Sequence, residues 1–133
     1  MDVLFFFLIK IESQDQLVNY KPIIANIKGC GFFFPFPVPP DEILCSMKIS
    51  ALLSRNKGRD FYDVMFLLAL SNPDYNFLSK KSGVKNLLEL KQSVEKMLYS
   101  INLKMKMKDF EHLLFSNNKS NLISRFGEFI REL

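Results

Sequence analysis

Residues 41–70, DEILCSMKISALLSRNKGRDFYDVMFLLAL, constrain the fold of this chain more than any other stretch. Ile43, Leu44, Met47, Ala51 and Leu52 recur at three- and four-residue intervals, the spacing of one apolar helix stripe. Asp41 and Glu42 follow Pro40, and acidic residues in a first turn complement the helix dipole. The spacing predicts a helix to about Ser54, broken by Asn56-Lys57-Gly58. A second helix follows, with Asp60 expected as its N-cap and Asp63 at N3, and with Val64, Leu67 and Leu68 carrying it to about Leu70.

Upstream, the pattern is that of strands. Residues 3–9 form a continuous apolar run, as expected of a strand buried on both faces. Lys10-Ile11-Glu12 follows it. Glu12 reads either as a carboxylate placed at the end of a central strand, where sheets of this kind put their chemistry, or as the strand's exit into solvent. The run lacks a basic leader and a small-residue cleavage site, and it is too short to span a bilayer. Residues 22–27 are β-prone, and Gly29 and Gly31 bracket a turn around Cys30. The segment FFFPFPV over residues 32–38 carries two prolines, which cannot donate to a ladder. An edge strand, or an extended segment lying on the core, is therefore expected.

Downstream, residues 71–83 contain the turn signal Asn72-Pro73-Asp74 and are expected to form a loop. Three amphipathic helices are expected after it. Residues 86–101 align Leu87, Leu90, Val94, Met97, Leu98 and Ile101; residues 106–115 align Phe110, Leu113 and Leu114; residues 120–133 align Leu122, Ile123, Phe126, Phe129 and Ile130. The expected class is α+β, with a short partial sheet of two or three strands followed by a bundle of about five helices. The expected division is a partial sheet over 1–39, a helix pair over 40–70 and a helical subdomain over 71–133.

The totals narrow the chemistry. With 14 Phe, 48% apolar and 24% charged residues, the chain has the composition of a packed globular domain rather than a disordered one. The formal charge of +4 allows a phosphate-bearing partner without demanding one. Two cysteines make no disulfide framework, and a reduced, cytoplasmic setting is the expectation. One histidine, His112, leaves Ser-His or Cys-His catalysis with little to stand on, and no Cys/His group has zinc spacing.

Two groups of residues invite a chemical reading. Lys48, Leu52 and Arg55 share a helix face, so Lys48 as a point charge and Arg55 as a fork suit a phosphate chain, although an ordinary solvated basic face has the same spacing. Asp60 and Asp63 lie three residues apart at a helix start, where Arg59 is placed to pair with either. Residues 103–109, LKMKMKD, alternate Lys and Met and read as a basic stripe or as a solvated helix start.

Together, Met47-Lys48-Ile49-Ser50-Ala51-Leu52-Leu53-Ser54-Arg55 and Lys57-Gly58-Arg59-Asp60-Phe61-Tyr62-Asp63 resemble the AbiEii/AbiGii toxin family of nucleotidyltransferases, whose later motifs read approximately K-x-x-A-L-x-x-R and R-D-x-Y-D. Leu8-Ile9-Lys10-Ile11-Glu12 is similar to the acidic-ended strand preceding that block. The resemblance implies a polymerase β-type enzyme that transfers a nucleoside monophosphate from an NTP to an acceptor such as tRNA, with Mg²⁺ held by carboxylates. It implies Glu12, Lys48, Asp60 and Asp63 as catalytic residues, Lys48, Arg55 and Arg59 as phosphate contacts, and Glu12 as a metal ligand. A cognate antitoxin is the implied partner.

The chain departs from that family in one respect. No Gly-Ser pair followed by Asp-x-Asp occurs in the 133 residues. The expectation is the C-terminal portion of a longer or split nucleotidyltransferase, or a remnant of one, inactive on its own. The alternative is a non-catalytic interaction module that binds an antitoxin or a second copy of the chain through its sheet edge and helices. A third reading is a basic RNA-binding fragment using Lys57, Lys104, Lys106 and Lys108.

Overall fold

A computed structural model of the chain describes residues 15, 16, 18–101 and 125–133. The apolar run over 3–9, Glu12, the basic stripe over 103–109, the helix expected over 106–115 and His112 lie outside the described residues. Within them, a two-stranded antiparallel sheet precedes five helices, the α+β arrangement expected from the residue pattern. No helix among the described residues is long and apolar enough to cross a membrane.

Strands β1 (Ile23–Gly29) and β2 (Phe32–Val38) form a hairpin joined by Cys30-Gly31. Both turn residues have positive φ, 49° and 80°, which defines a type I′ turn whose twist suits a two-residue hairpin. The closing pair is Gly29 with Phe32, so Pro35 opposite Asn26 and Pro37 opposite Ile24 occupy the non-hydrogen-bonded pairs. There the missing N–H groups point away from β1, and the prolines cost the ladder nothing. The aromatic segment is thus a strand, but it does not lie on the core: Phe32, Phe33, Phe34 and Phe36 are all exposed.

Helix α1 (Asp41–Arg55) begins directly after Pro40, as its acidic first turn implies. Its end is set by Asn56, which adopts φ 54° and ψ 35° and returns its N–H to the Leu52 carbonyl. Asn tolerates this left-handed geometry better than most residues, and it stops the helix in one step. Helix α2 (Gly58–Leu68) starts two residues later. Gly58 therefore belongs to α2 and not to the break. Asp60 is not the N-cap: Lys57 holds that position and Asp60 stands at N3. Its carboxylate accepts the Lys57 N–H at 3.2 Å, so Asp60 serves the helix start from inside.

The loop expected over 71–83 holds a helix, α3 (Tyr75–Ser82). Asp74 caps it by accepting the Phe77 N–H at 2.9 Å, and Gly83 ends it at φ 74°. These two signals enclose eight residues with little apolar periodicity, so periodicity alone missed the helix. Helices α4 (Leu87–Tyr99) and α5 (Phe126–Glu132) follow. Leu90, Val94 and Met97 of α4 are buried, as are Phe126 and Ile130 of α5.

All five helices contribute to the buried core or pack against it. Cys45, Ile49 and Leu52 of α1 meet Phe61, Val64 and Leu67 of α2, with Leu78, the α4 stripe and α5 closing around them. Phe61 and Phe126 stack edge to face at 5.1 Å between centroids. One buried polar group ties α1 to the start of α3: Ser46 Oγ donates its one proton to the Glu42 carbonyl at 2.8 Å, with the Asp74 carbonyl a longer alternative at 3.2 Å, and accepts the Asp74 N–H at 2.8 Å.

Candidate functional site

The α1–α2 hairpin sets four charged side chains along one seam. Lys48 and Arg55 stand seven positions apart on α1, and Asp60 and Asp63 three positions apart on α2. Because the two-residue connection turns the chain back, the residues nearest it meet each other and those farther away meet in turn. Arg55 pairs with Asp60, and Lys48 pairs with Asp63.

The Arg55–Asp60 pair is bidentate, with Nε donating to Oδ2 at 2.9 Å and Nη2 to Oδ1 at 2.7 Å. Asp60 is completely buried, whereas the Arg55 side chain is 42% exposed. A buried carboxylate persists only when its oxygens are satisfied, and here Arg55 and the Lys57 N–H do so at the positive end of α2. The hydrogen bond to Asp60, reinforced by the charges of Asp60 and Asp63, holds the Arg55 pKa above its ordinary value despite some desolvation.

The Lys48–Asp63 pair is different. Lys48 Nζ donates to Asp63 Oδ2 at 2.7 Å, but the two side chains remain 35% and 33% exposed. Water competes for both, so this pair can exchange partners with a ligand. Arg59 is exposed on α2 and is paired with neither aspartate among the described residues; Arg55 and Lys48, reaching across from α1, take the roles open to it on spacing alone.

A cavity of about 430 Å³ adjoins the seam, lined by Lys48, Arg55 and Lys81 with Met47, Ser50 and Gln16 among its other walls. Among the described residues, three cations and no carboxylate line it, the lining of an anion pocket. Lys81 escaped sequence reasoning because its segment was expected to be loop. Its Nζ donates to the Gln16 carbonyl at 3.1 Å, which leaves two protons for other acceptors.

Mg²⁺ needs clustered oxygen donors. Among the described residues no group of three His, Cys, Asp or Glu side chains comes together. Asp60 is engaged with Arg55 and the Lys57 N–H, and Asp63 with Lys48. The described donor set does not fit a magnesium site, and Glu12 lies outside it.

No curated protein and no solved structure matches the chain. Residues 9–116 match the family model described as "Nucleotidyl transferase AbiEii toxin, Type IV TA system". That span contains the hairpin, helices α1 to α4 and the entire Lys48–Asp63 seam. On this match, over most of its length, the chain belongs to the AbiEii nucleotidyl transferase toxin family.

Proposed function

We propose that Lys48, Arg55 and Asp63 form the phosphate-side wall of a nucleotidyl-transfer site that takes an NTP. The observation carrying this reading is the partly exposed Lys48–Asp63 pair at 2.7 Å beside a cavity whose charged lining residues, among those described, are all cations. An arriving phosphate competes with Asp63 for Lys48, and Arg55, held rigid by Asp60, presents its remaining N–H groups to the same space. Asp60 acts as the brace of Arg55 and does not touch substrate. Asp63 orients Lys48 when the pocket is free of anions.

A metal-supported transfer, to tRNA or another acceptor, requires carboxylates other than Asp60 and Asp63, since both are committed to cations. The absence of a Gly-Ser…Asp-x-Asp segment from these 133 residues supports the same conclusion. The chain alone therefore binds an NTP but does not transfer from it, and a segment supplying Gly-Ser…Asp-x-Asp, with or without Glu12, restores transfer. Incubation with labelled NTPs, Mg²⁺ and bulk tRNA tests this. The expected result is no label transfer, and robust transfer by the chain alone would overturn the assignment of the missing carboxylates.

A second reading has its own observation. Ile23, Ile24, Phe32, Phe33, Phe34 and Phe36 expose an apolar hairpin. As a surface for a cognate antitoxin or a second copy of the chain, it makes the protein an interaction module. Loss of NTP binding in the intact chain, with retention of a hairpin-dependent partner, favours this reading over the first.

A further inference from the structure

A second and larger cavity, about 570 Å³, lies where α1, the end of α3 and α4 meet. It shares Ser50, Ser54 and Lys81 with the cavity beside Lys48, so the two adjoin. Lys81 and Lys96 both line it, and among the described residues no carboxylate does. Lys96 has no carboxylate partner among the described residues. The lysines stand in the last turns of α3 and α4, where they also answer the helix dipoles. The dipoles do not explain why hydroxyls fill the seam around them.

Ser50 on α1, Ser82 on α3 and Ser93 on α4 face this space in place of apolar packing. Each serine costs about 0.5 kcal/mol of helix propensity relative to alanine. Their proton bookkeeping is informative. Ser82 Oγ and Ser50 Oγ are 2.8 Å apart, with Ser82 donating, so the Ser50 proton is left over. Ser93 has no hydrogen-bond partner among the described residues. Among the described residues, two serines with a proton to spare and two lysines thus line one space with no carboxylate beside them. Asn56 also lines the cavity.

We propose that this cavity binds a phosphate monoester carried on a small organic body. Lys81, Lys96, Ser50 and Ser93 take the phosphoryl oxygens. The volume holds more than a lone phosphate and falls within the range of small-molecule sites. The proposal does not rest on nucleotidyl transfer, because Lys48 lines only the adjoining cavity.

The test is a titration of the ¹⁵N-labelled chain with ribose 5-phosphate, followed by ¹H–¹⁵N NMR, with inorganic phosphate and ribose as separate arms. Saturable shifts are expected at Ser50, Asn56, Ser93 and Lys96, with ribose 5-phosphate binding more tightly than inorganic phosphate and ribose not binding. Lys96→Ala is expected to weaken binding about tenfold, as for loss of one charge-assisted hydrogen bond, and Lys96→Glu more. Lys96 is exposed, so both variants retain the fold, which circular dichroism checks. Lys48→Ala is expected to change this affinity less than about threefold. Loss of binding in Lys48→Ala but not in Lys96→Ala would place the anion in the adjoining cavity and overturn the proposal. So would the absence of saturation by ribose 5-phosphate on the order of 10 mM.

Discussion

Arg55 and Asp60 close the α1–α2 connection through two parallel hydrogen bonds of 2.9 and 2.7 Å, and the carboxylate they bind is inaccessible to water. The pair separates two properties that look alike in the sequence. Asp60 is a buried brace, while Asp63, one helical turn on, faces a half-exposed lysine. The consequences differ in kind.

Arg55→Ala removes the counter-charge of a fully buried carboxylate. The expected loss is about 3 kcal/mol, the low end for a broken buried pair because Arg55 itself reaches solvent. Arg55→Lys recovers only part of it, since an ammonium cannot make the fork. Urea denaturation at pH 7 measures both, and a loss below about 1 kcal/mol would mean that water satisfies Asp60.

Lys48→Ala leaves no buried charge behind. Its expected effect on stability is below about 1 kcal/mol, as for other half-exposed pairs. Its effect on NTP affinity is expected to be about tenfold. Denaturation and calorimetric titration of the same variant separate the two. A stability loss without an affinity loss would assign Lys48 to the scaffold alone.

Ser46→Ala deletes the hydroxyl that joins α1 to the entry of α3. The Asp74 N–H keeps only the longer contact of 3.3 Å to the Glu42 carbonyl. The expected cost is about 1–3 kcal/mol. Because Lys81 sits on α3, the change is also expected to weaken phosphate binding by a few fold, whereas Ser79→Ala, which removes an exposed bond to the Asn76 carbonyl, does neither. Thermal melts and phosphate titration of the two variants check this.

Burial pushes the Cys45 thiol up to about 11 from an ordinary 9.0. The folded chain thus holds this proton more tightly than the unfolded chain. The resulting stability is fully present below pH 9 and is lost as pH rises from there through about 11. Denaturation midpoints across that window test the sign. At pH 8, iodoacetamide is expected to modify exposed Cys30 and to spare Cys45 until the chain unfolds. Equal labelling rates would show that the α1 core opens readily.

Much of this was legible in the residues. The acidic first turn after Pro40 and the break at Asn56 marked α1, and the glycines around Cys30 marked the hairpin turn. The α4 stripe marked its own core face in Leu90, Val94 and Met97. Helix α3 was hidden because its evidence lies in its ends, Asp74 and Gly83, and not in apolar periodicity. Reading Asp60 as the cap failed for a related reason. By residue type Asp60 suits the N-cap better than Lys57, but it is drawn to N3 where its carboxylate meets Arg55, which belongs to the preceding helix.

Lys48, Arg55, Asp60 and Asp63 could be singled out in the sequence by itself, because local spacing decides which residues share a helix face. Local spacing also determined two helices joined by a tight turn. Which cation meets which anion was decided only when α1 and α2 folded back on each other, since pairing across a hairpin depends on distance from the turn. Burial was likewise tertiary. Asp60 is sealed because the core closes around the start of α2, and Asp63, one turn on, stays partly open because its partner Lys48 is itself partly exposed.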